Sequence, residues 1–500
     1  MLNARKLPLQ VNIARDIDVP IQYLAEPVGS GKTEAVIREI SQRKTDSNIF
    51  VAPTILLVKD IAKRLNEAGV ENVIVVISEG NRAPVYERVL KLIRERQLNE
   101  AHSLIITTET FRNILISMSN ADKDSYHVYL DEGIEAVHYQ QFSTGRIDEF
   151  ASLLSEDNGK ITANKEYAER LRRVAYKPDQ LKNDDDLRAE NFIPIARWVV
   201  NDLYDVHGTV TEKSICAVAM LKPDEFTAFK SITIIAAIFE QSLLAVFWER
   251  KYGIKLVPYE TEHNMFDTHR EKGPLISIYY TLHEDDWASV RNLKRNWATG
   301  EDNAAANSNN RVIDEICRNV DTHFNGEQYC WATGTLYKNK FNTLSGKRMP
   351  AVSAGLNDWA DMHNVVSFVC VNPPEWVKNI VVNQLAMEDE ELYSLWKLSH
   401  TYQTIGRCSL RDRNSKHPIT IVVLSEDCAK KISTLFPGSK IVGRIGDLPS
   451  YRRMKKKIKF TPQDNRAYHK EKIRCLERGA ELPPKDQWYL TKRVLQLAKG

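Results

Sequence analysis

The chain has 500 residues, of which 43% are hydrophobic and 27% charged, and its formal net charge is +3. This length predicts two to four domains, because one hydrophobic core rarely serves more than about 300 residues. The near balance of charge does not by itself call for a polyanionic partner. No stretch has the apolar character of a signal peptide or the roughly 20 apolar residues of a membrane-spanning helix. We therefore expect no membrane contact and an intracellular, cytoplasmic protein, or one in the host cytoplasm if it is viral.

The first 135 residues alternate short apolar runs with amphipathic stretches. Helices are predicted over 33–43, 55–68 and 85–96. Strands are predicted over 21–24, 48–52, 73–76, 104–107 and 126–130. Alternation of this kind predicts a mostly parallel sheet with helices on both of its faces.

Residues 140–228 interrupt this alternation with charged helical stretches, and we expect a helical insertion there. Sheet character returns at 232–237. A second α/β segment is predicted from 258 to 437, with strands over 275–280, 365–371 and 419–424. The remaining residues, 438–500, form a basic extension that includes the run YRRMKKKIK.

A phosphate-binding loop is predicted between the first strand and the first helix, at 26–33 (EPVGSGKT). Gly29 and Gly31 allow the backbone to turn and to approach a phosphate closely. Lys32 is expected to contact the β- and γ-phosphates of ATP, and the Thr33 hydroxyl to bind Mg²⁺. The predicted nucleotide-binding residues are Val28, Gly29, Ser30, Gly31, Lys32 and Thr33.

An acidic pair, Asp131-Glu132, follows the apolar strand at 126–130. Two carboxylates at the end of a buried strand are costly unless they have a partner or a chemical task. We expect Asp131 to bind Mg²⁺ together with Thr33, and Glu132 to act as general base on the attacking water.

These motifs resemble those of the superfamily 2 helicases, the group that includes DEAD-box, DEAH-like and type III restriction-type motors. The first motif of that family resembles residues 26–33 and tolerates a residue other than glycine at Glu26. Its second motif resembles Asp131-Glu132-Gly133-Ile134. The resemblance covers about residues 20–415 without the insertion, and the compact size is reminiscent of phage or mobile-element helicases.

The resemblance implies an α/β fold with two tandem RecA-like domains, each built on a parallel sheet. Domain 1 would span 1–257, with the helical insertion at about 140–228, and domain 2 would span 258–437. ATP would lie between them. Residues 438–500 would be a basic C-terminal extension that contacts nucleic acid.

A further motif of the family resembles Gln403-Thr404-Ile405-Gly406-Arg407, which would reach the nucleotide from the second domain. Arg407 is a candidate arginine finger that stabilises charge on the γ-phosphate. The second arginine of the family pattern usually stands three residues later, where this chain has Leu410, and Arg411 follows it. Either arginine is a candidate finger, and Gln403 belongs to the same predicted catalytic set.

The family also implies contacts with a nucleic-acid track, for which we expect DNA rather than RNA. The run at 52–54 resembles one backbone-contacting motif, and the run at 107–110 resembles another. The basic extension would add phosphate contacts. The predicted nucleic-acid residues are Pro53, Thr54, Thr108, Arg452, Arg453, Lys455 and Lys456.

Two departures from the family pattern keep other functions open. The Ser-Ala-Thr motif, which couples hydrolysis to strand separation, would fall at 236–238, where the chain has Ala-Ala-Ile. Residues 355–357 resemble a further motif only loosely, and Gln10 and Gln22 are both candidates for reading the adenine. The leading hypothesis is an ATP-dependent helicase or translocase. The alternatives are a nucleotide-dependent clamp that does not separate strands, and a P-loop NTPase with a small-molecule substrate.

Overall fold

The computed structural model describes residues 21–78, 84–95, 101–132, 134–177, 190–283, 293, 311–333, 343–349, 359–369, 373–446, 448, 468 and 471. The chain divides into a large unit, Met1–Glu284 with Ala288–Leu448, and a small unit, Asp285–Trp287 with Pro449–Gly500. All elements below belong to the large unit. Within the described ranges, no helix combines the length and apolar character needed to cross a membrane.

The first sheet has seven parallel strands. Numbered in chain order, they are β1 (Ile21–Leu24), β2 (Ser47–Ala52), β3 (Val73–Val75), β4 (Ser103–Thr107), β5 (Tyr126–Asp131), β11 (Ser231–Ile235) and β12 (Leu256–Pro258). Their order across the sheet is β12-β1-β11-β5-β2-β4-β3. Its helices are α1 (Lys32–Gln42), α2 (Ile55–Glu67), α3 (Val85–Glu95), α4 (Thr108–Leu115), α5 (Asn120–Lys123) and α9 (Leu243–Tyr252). Apolar cores cover both faces of this sheet, which explains why its central strands read as continuous apolar runs.

Between β5 and β11 the chain forms an antiparallel sheet, which we call the inserted sheet. Its strands are β6 (Val137–Phe142), β7 (Leu154–Asp157), β8 (Lys160–Ala163), β9 (Tyr204–Val210) and β10 (Ile215–Leu221). Its helices are α6 (Ile147–Ala151), α7 (Ala168–Tyr176) and α8 (Ile193–Val200). The predicted helical insertion is therefore corrected to a sheet with helices. Its charged helices dominated the sequence pattern, whereas the sheet is completed by two long-range pairings, of β10 with β6 and of β8 with β9.

The second sheet has six parallel strands. They are β13 (Ile276–Leu282), β14 (Cys330–Thr333), β15 (Lys347–Arg348), β16 (Asn364–Phe368), β17 (Ile419–Ser425) and β18 (Lys440–Arg444), in the order β15-β14-β16-β17-β13-β18. The accompanying helices are α10 (Thr268–Lys272), α11 (Val312–Phe324), α12 (Glu375–Leu385), α13 (Asp389–Ile405) and α14 (Glu426–Leu435). Two parallel sheets with helical crossovers confirm the predicted α/β fold with tandem RecA-like sheets.

Helices α12 and α13 link the cores of the two sheets. Apolar residues of α12, such as Val381 and Leu385, pack in the first core, whereas Tyr402 and Ile405 at the end of α13 pack in the second. The Arg250 guanidinium of α9 adds a two-pronged ion pair with Glu391 of α13, at 2.5 and 3.1 Å. The second sheet is therefore attached to the first through apolar packing as well as through the connecting chain.

Candidate functional site

The predicted phosphate loop lies between β1 and α1, at the carboxyl end of the first sheet. Gly29 and Gly31 have φ values of 73° and 99°, in the left-handed region that favours glycine. A Cβ at Gly29 would lie 3.0 Å from the Arg411 Cα, and one at Gly31 would lie 2.5 Å from Nη2 of Arg413. Both glycines are thus required by the turn, and Gly29 also by the close approach of the Arg411 backbone.

The Lys32 ammonium lies inside this loop and donates hydrogen bonds to two of its carbonyl oxygens, those of Glu26 (2.5 Å) and Pro27 (2.7 Å). Burial lowers the pKa of Lys32 to about 8, and the nearby Arg411 lowers it further, against the attraction of Asp131. A buried ammonium of this kind is stabilised by an anionic ligand.

Asp131 ends β5 and faces the start of α1. The Thr33 hydroxyl lies 3.4 Å from Oδ2 of Asp131 and 3.5 Å from Oδ1. Burial, with the charge of Glu132 beside it, raises the pKa of Asp131 to about 7. A hydroxyl and a carboxylate placed together at the phosphate loop are the hard oxygen ligands that Mg²⁺ prefers.

The chain segment that follows α13 brings Arg407 to the acidic pair. Arg407 is 3% exposed, and its Nη2 donates a 2.9 Å hydrogen bond to Oε1 of Glu132. Its Nε and Nη1 have no hydrogen-bond partner among the described residues. A buried guanidinium with two unsatisfied donors calls for an anionic ligand.

Arg411 approaches the phosphate loop beside Arg407. Its Nε donates a 2.7 Å hydrogen bond to the carbonyl oxygen of Gly406. Burial, together with the positive charge of Arg407, lowers the pKa of Arg411 to about 10. The two arginines therefore concentrate positive charge beside the phosphate loop and the acidic pair.

These groups surround one cavity of about 430 Å³ between the two sheets. Its lining includes most of the predicted site residues: Val28, Gly29, Gly31, Lys32, Thr33, Asp131, Glu132, Gln403, Arg407 and Arg411. Ser30 lies in the loop but outside this lining. The glycine turn of the phosphate loop, the buried cations and the Thr33–Asp131 pair fit a nucleoside triphosphate with Mg²⁺.

Three side chains at this junction were not predicted from the sequence. The Tyr402 hydroxyl accepts a 3.0 Å hydrogen bond from the Val28 backbone N–H and lies 2.6 Å from Nε2 of His269. Arg413 donates a 2.8 Å hydrogen bond to the Ser30 carbonyl. Tyr402 and Arg413 lie on either side of the arginine motif in sequence, but the spacing of that motif does not mark them. No sequence pattern marks His269.

The segment at 236–238 lies between the two sheets. Ala236 and Ala237 line the cavity, and Ala237 and Ile238 pack against the second core. Ile238 has a φ of 52°, an unusual conformation for a β-branched residue. Apolar contact therefore takes the place of the hydroxyl groups that the family pattern has here.

The predicted nucleic-acid residues are only partly described. Thr54 caps α2, where its side chain accepts a hydrogen bond from the Leu57 N–H, and Pro53 precedes it half-buried. Thr108 is buried in the first turn of α4. Gln22 lies within β1 and does not line the cavity. Outside the described residues lie Gln10, residues 355–357, Arg452, Arg453, Lys455 and Lys456.

Comparison with known proteins gives a family match for one part of the chain. Residues 16–175 match the family model described as DEAD/DEAH box helicase. No curated protein matches the chain in sequence.

Several solved structures are similar to this chain at low sequence identity. An apo structure of XPD is 12% identical over 85% of this chain and 98% of its own, with a TM-score of 0.47. Xpd4 from S. tokodaii is 11% identical over 86% of this chain and 96% of its own, also with a TM-score of 0.47. The DEAD-box helicase Mss116 bound to ssRNA and UDP-BeF is 11% identical over 89% and 75%, with a TM-score of 0.35.

The family match contains both the phosphate loop at 26–33 and the acidic pair at 131–132. It confirms the resemblance that these motifs predicted, because residues 16–175 match the DEAD/DEAH box helicase family model.

Proposed function

We propose that the protein is an ATP-dependent helicase or translocase, which couples hydrolysis of MgATP to movement on DNA or to its unwinding. The observation that carries this proposal is the buried contact between Arg407 and Glu132 across the cavity. It joins a segment after α13 to the acidic pair of the first sheet. A nucleotide held there touches both sheets, so its hydrolysis changes how they are held together.

Each cavity residue has a role in this proposal. Lys32 and the loop N–H groups would bind the phosphates, and Thr33 and Asp131 would hold Mg²⁺. When bound, Mg²⁺ neutralises charge on the phosphate oxygens. Glu132 orients the attacking water and accepts its proton. Arg407 and Arg411 stabilise the charge that develops on the γ-phosphate.

The Arg407–Glu132 ion pair also suggests how nucleotide entry changes the site. The donors of Arg407 that lack partners can bind phosphate oxygens while its Nη2 remains near Glu132. As a result, the same guanidinium holds the second sheet to the first and senses the nucleotide. Loss of the γ-phosphate removes this anionic partner of Arg407 and weakens the contact between the two sheets.

The test is steady-state ATP hydrolysis with single-stranded DNA, duplex DNA, RNA or no polymer, each at two salt concentrations. Stimulation by one polymer that falls with salt is expected, because phosphate contacts release counterions. Lys32→Ala, which removes the phosphate-binding ammonium, should abolish turnover. Turnover that ignores all polymers and rises with a small acceptor would replace this proposal with a small-molecule NTPase.

A second candidate is a nucleic-acid-stimulated clamp or remodeller that hydrolyses ATP without separating strands. The apolar segment at 236–238 favours it, because the hydroxyls linked to strand separation in the family are absent there. Strand displacement on a partial duplex distinguishes the two candidates. Polymer-stimulated hydrolysis with displacement supports the helicase, and the same hydrolysis without displacement supports the clamp.

A further inference from the structure

The Tyr402 hydroxyl lies where three separate segments meet. It is fully buried near the end of α13, and it contacts both the phosphate loop and the segment that connects the two sheets. The Val28 N–H of the phosphate loop donates to it, and His269 of α10 lies on its other side. One hydroxyl therefore joins elements that are 374 and 133 residues apart in sequence.

The hydrogen-bond directions follow from the donors available. A backbone N–H can only donate, so the Tyr402 oxygen accepts from Val28 and its proton is available for another acceptor. Burial lowers the pKa of His269 to about 4, and the nearby charge of Lys32 lowers it further. A neutral imidazole accepts the Tyr402 proton at Nε2, which lies 2.6 Å from the hydroxyl oxygen.

Packing around the hydroxyl fixes the tyrosine ring. The His269 ring stands edge-on to Tyr402, with ring centroids 5.4 Å apart, and the Phe436 ring lies 6.1 Å from it. Four residues after Tyr402, Gly406 lies so close to Val28 that a Cβ at Gly406 would come within 2.9 Å of the Val28 methyl groups. These ring contacts enclose the Tyr402 side chain, which is fully buried.

The position of Tyr402 in the chain links this contact to the arginines. Tyr402 is followed directly by Gln403 and stands five residues before Arg407. The helix α13 continues through Ile405, so a shift of Tyr402 moves the start of the arginine segment with it. A displacement of about 1 Å is enough to lower a rate considerably when it affects transition-state contacts.

We propose that Tyr402 is a positioning residue for ATP hydrolysis, which holds the arginine segment in register with the phosphate loop through its bonds to Val28 and His269. This inference rests on the proposed function. Tyr402 does not itself line the cavity: it contacts the phosphate loop only at the Val28 N–H, and it acts through the placement of Arg407 and Arg411. Its loss should therefore weaken the transition state more than the binding of ATP.

The first variant is Tyr402→Phe, which keeps the ring and removes only the hydroxyl. We expect kcat for ATP to fall about tenfold while KM changes less than about twofold, since phosphate binding by Lys32 and the loop is retained. The matched control is Tyr393→Phe, the same change nine residues earlier on α13. Its kcat should stay within about twofold of the unmodified protein.

His269 gives an independent variant in case Tyr402→Phe folds poorly. His269→Phe removes the acceptor of the tyrosine proton and should lower kcat by a similar factor. His269→Gln supplies a side-chain carbonyl and should restore part of the rate. In the double variant Tyr402→Phe/His269→Phe the losses should not add, because both changes break one hydrogen-bonded chain.

All rates are measured well below the melting temperature of each variant, so that a loss of fold is not read as a loss of rate. A normal kcat in both Tyr402→Phe and His269→Phe would overturn the inference, as would an equal loss in Tyr393→Phe. The unmodified protein keeps the two proposals apart. If it hydrolyses no ATP, the proposed function fails; if it does and these variants match it, only the positioning role fails.

Discussion

Glu132 has a backbone conformation that few residues other than glycine adopt, with a φ of 63°. Its N–H donates a 2.9 Å hydrogen bond to the Ile235 carbonyl of the neighbouring strand, which holds it in this conformation. Backbone strain of this kind costs about 1–3 kcal/mol and is concentrated at functional sites. The backbone conformation of Glu132 directs its carboxylate away from the direction of β5 and towards Arg407.

Glu132→Gln tests the role of this carboxylate. The amide keeps the size of the side chain and an oxygen acceptor for Arg407, but it cannot accept a proton from water. We expect kcat to fall about 10²–10⁴-fold, with the affinity for a fluorescent ATP analogue nearly unchanged. Glu135→Gln, at an exposed carboxylate three residues later, is the control. Retained turnover in Glu132→Gln would remove Glu132 as general base.

His269 makes stability depend on pH with a definite sign. Its folded-state pKa, about 4, lies below the ordinary value of 6.5 because of burial. The unfolded chain therefore binds a proton between these values that the folded protein does not, and stability falls as pH falls through this window. From pH 7 to pH 5 the loss from this residue should be about 1–2 kcal/mol.

The measurement is denaturant unfolding at pH 7 and pH 5 for the unmodified protein and for His269→Gln. The other titrating groups are common to both proteins, so the difference between their pH dependences isolates His269. The unmodified protein should lose more stability on acidification than the variant. Equal losses would contradict a buried neutral imidazole beside Tyr402.

At the scale of elements, the packing of α12 across the two sheets predicts that the sheets unfold cooperatively. The chain of α12 lies between β16 and β17 of the second sheet, yet Leu385 is buried in the core of the first. Apolar packing that the two sheets share couples their unfolding. Hydrogen bonds exposed to water in an open cleft would not couple it in this way.

Leu385→Ala should lower the free energy of unfolding by about 2–4 kcal/mol, the usual cost of a cavity in a core. It should also separate the unfolding of the two sheets into two transitions, followed by fluorescence and circular dichroism in denaturant. The control is Val442→Ala on β18, at a side chain that is 53% exposed. A cost below about 1 kcal/mol would show that α12 does not hold the sheets together.

The sequence predicted elements whose pattern is local. The strand predicted over 21–24 coincides with β1, and the helix predicted over 55–68 differs from α2 by one residue. The inserted sheet was missed because β8 and β9 are paired by contacts that no local period records.

The site residues likewise divide into those that a local sequence pattern reveals and those that only the fold brings together. The phosphate loop and the acidic pair are recognisable because each is a short run with fixed spacing. The Arg407–Glu132 ion pair and the Tyr402–Val28 hydrogen bond join residues 275 and 374 positions apart, so only the fold brings them together. The family pattern has its second arginine at the position of Leu410, whereas this chain has Arg411 one residue later. This shift can be interpreted only from the structure, in which the turn after α13 lies beside Gly29.

For the whole molecule, the charge balance limits how a nucleic-acid track can be held. The 69 basic and 66 acidic residues nearly cancel, so the nucleic-acid binding that we propose would depend on local basic segments rather than on the overall field. Such contacts are strongly sensitive to salt. In the proposed function, this binding is coupled to the nucleotide held in the cavity between the sheets.

The most direct test is the affinity for a fluorescent single strand, measured with and without a non-hydrolysable MgATP analogue at one fixed salt concentration. Because coupling between two sites is reciprocal, we predict that the analogue changes this affinity by at least about fivefold. Lys32→Ala, which weakens phosphate binding, should lose this dependence. Equal affinities with and without the analogue in the unmodified protein would contradict the coupling of this cavity to nucleic acid.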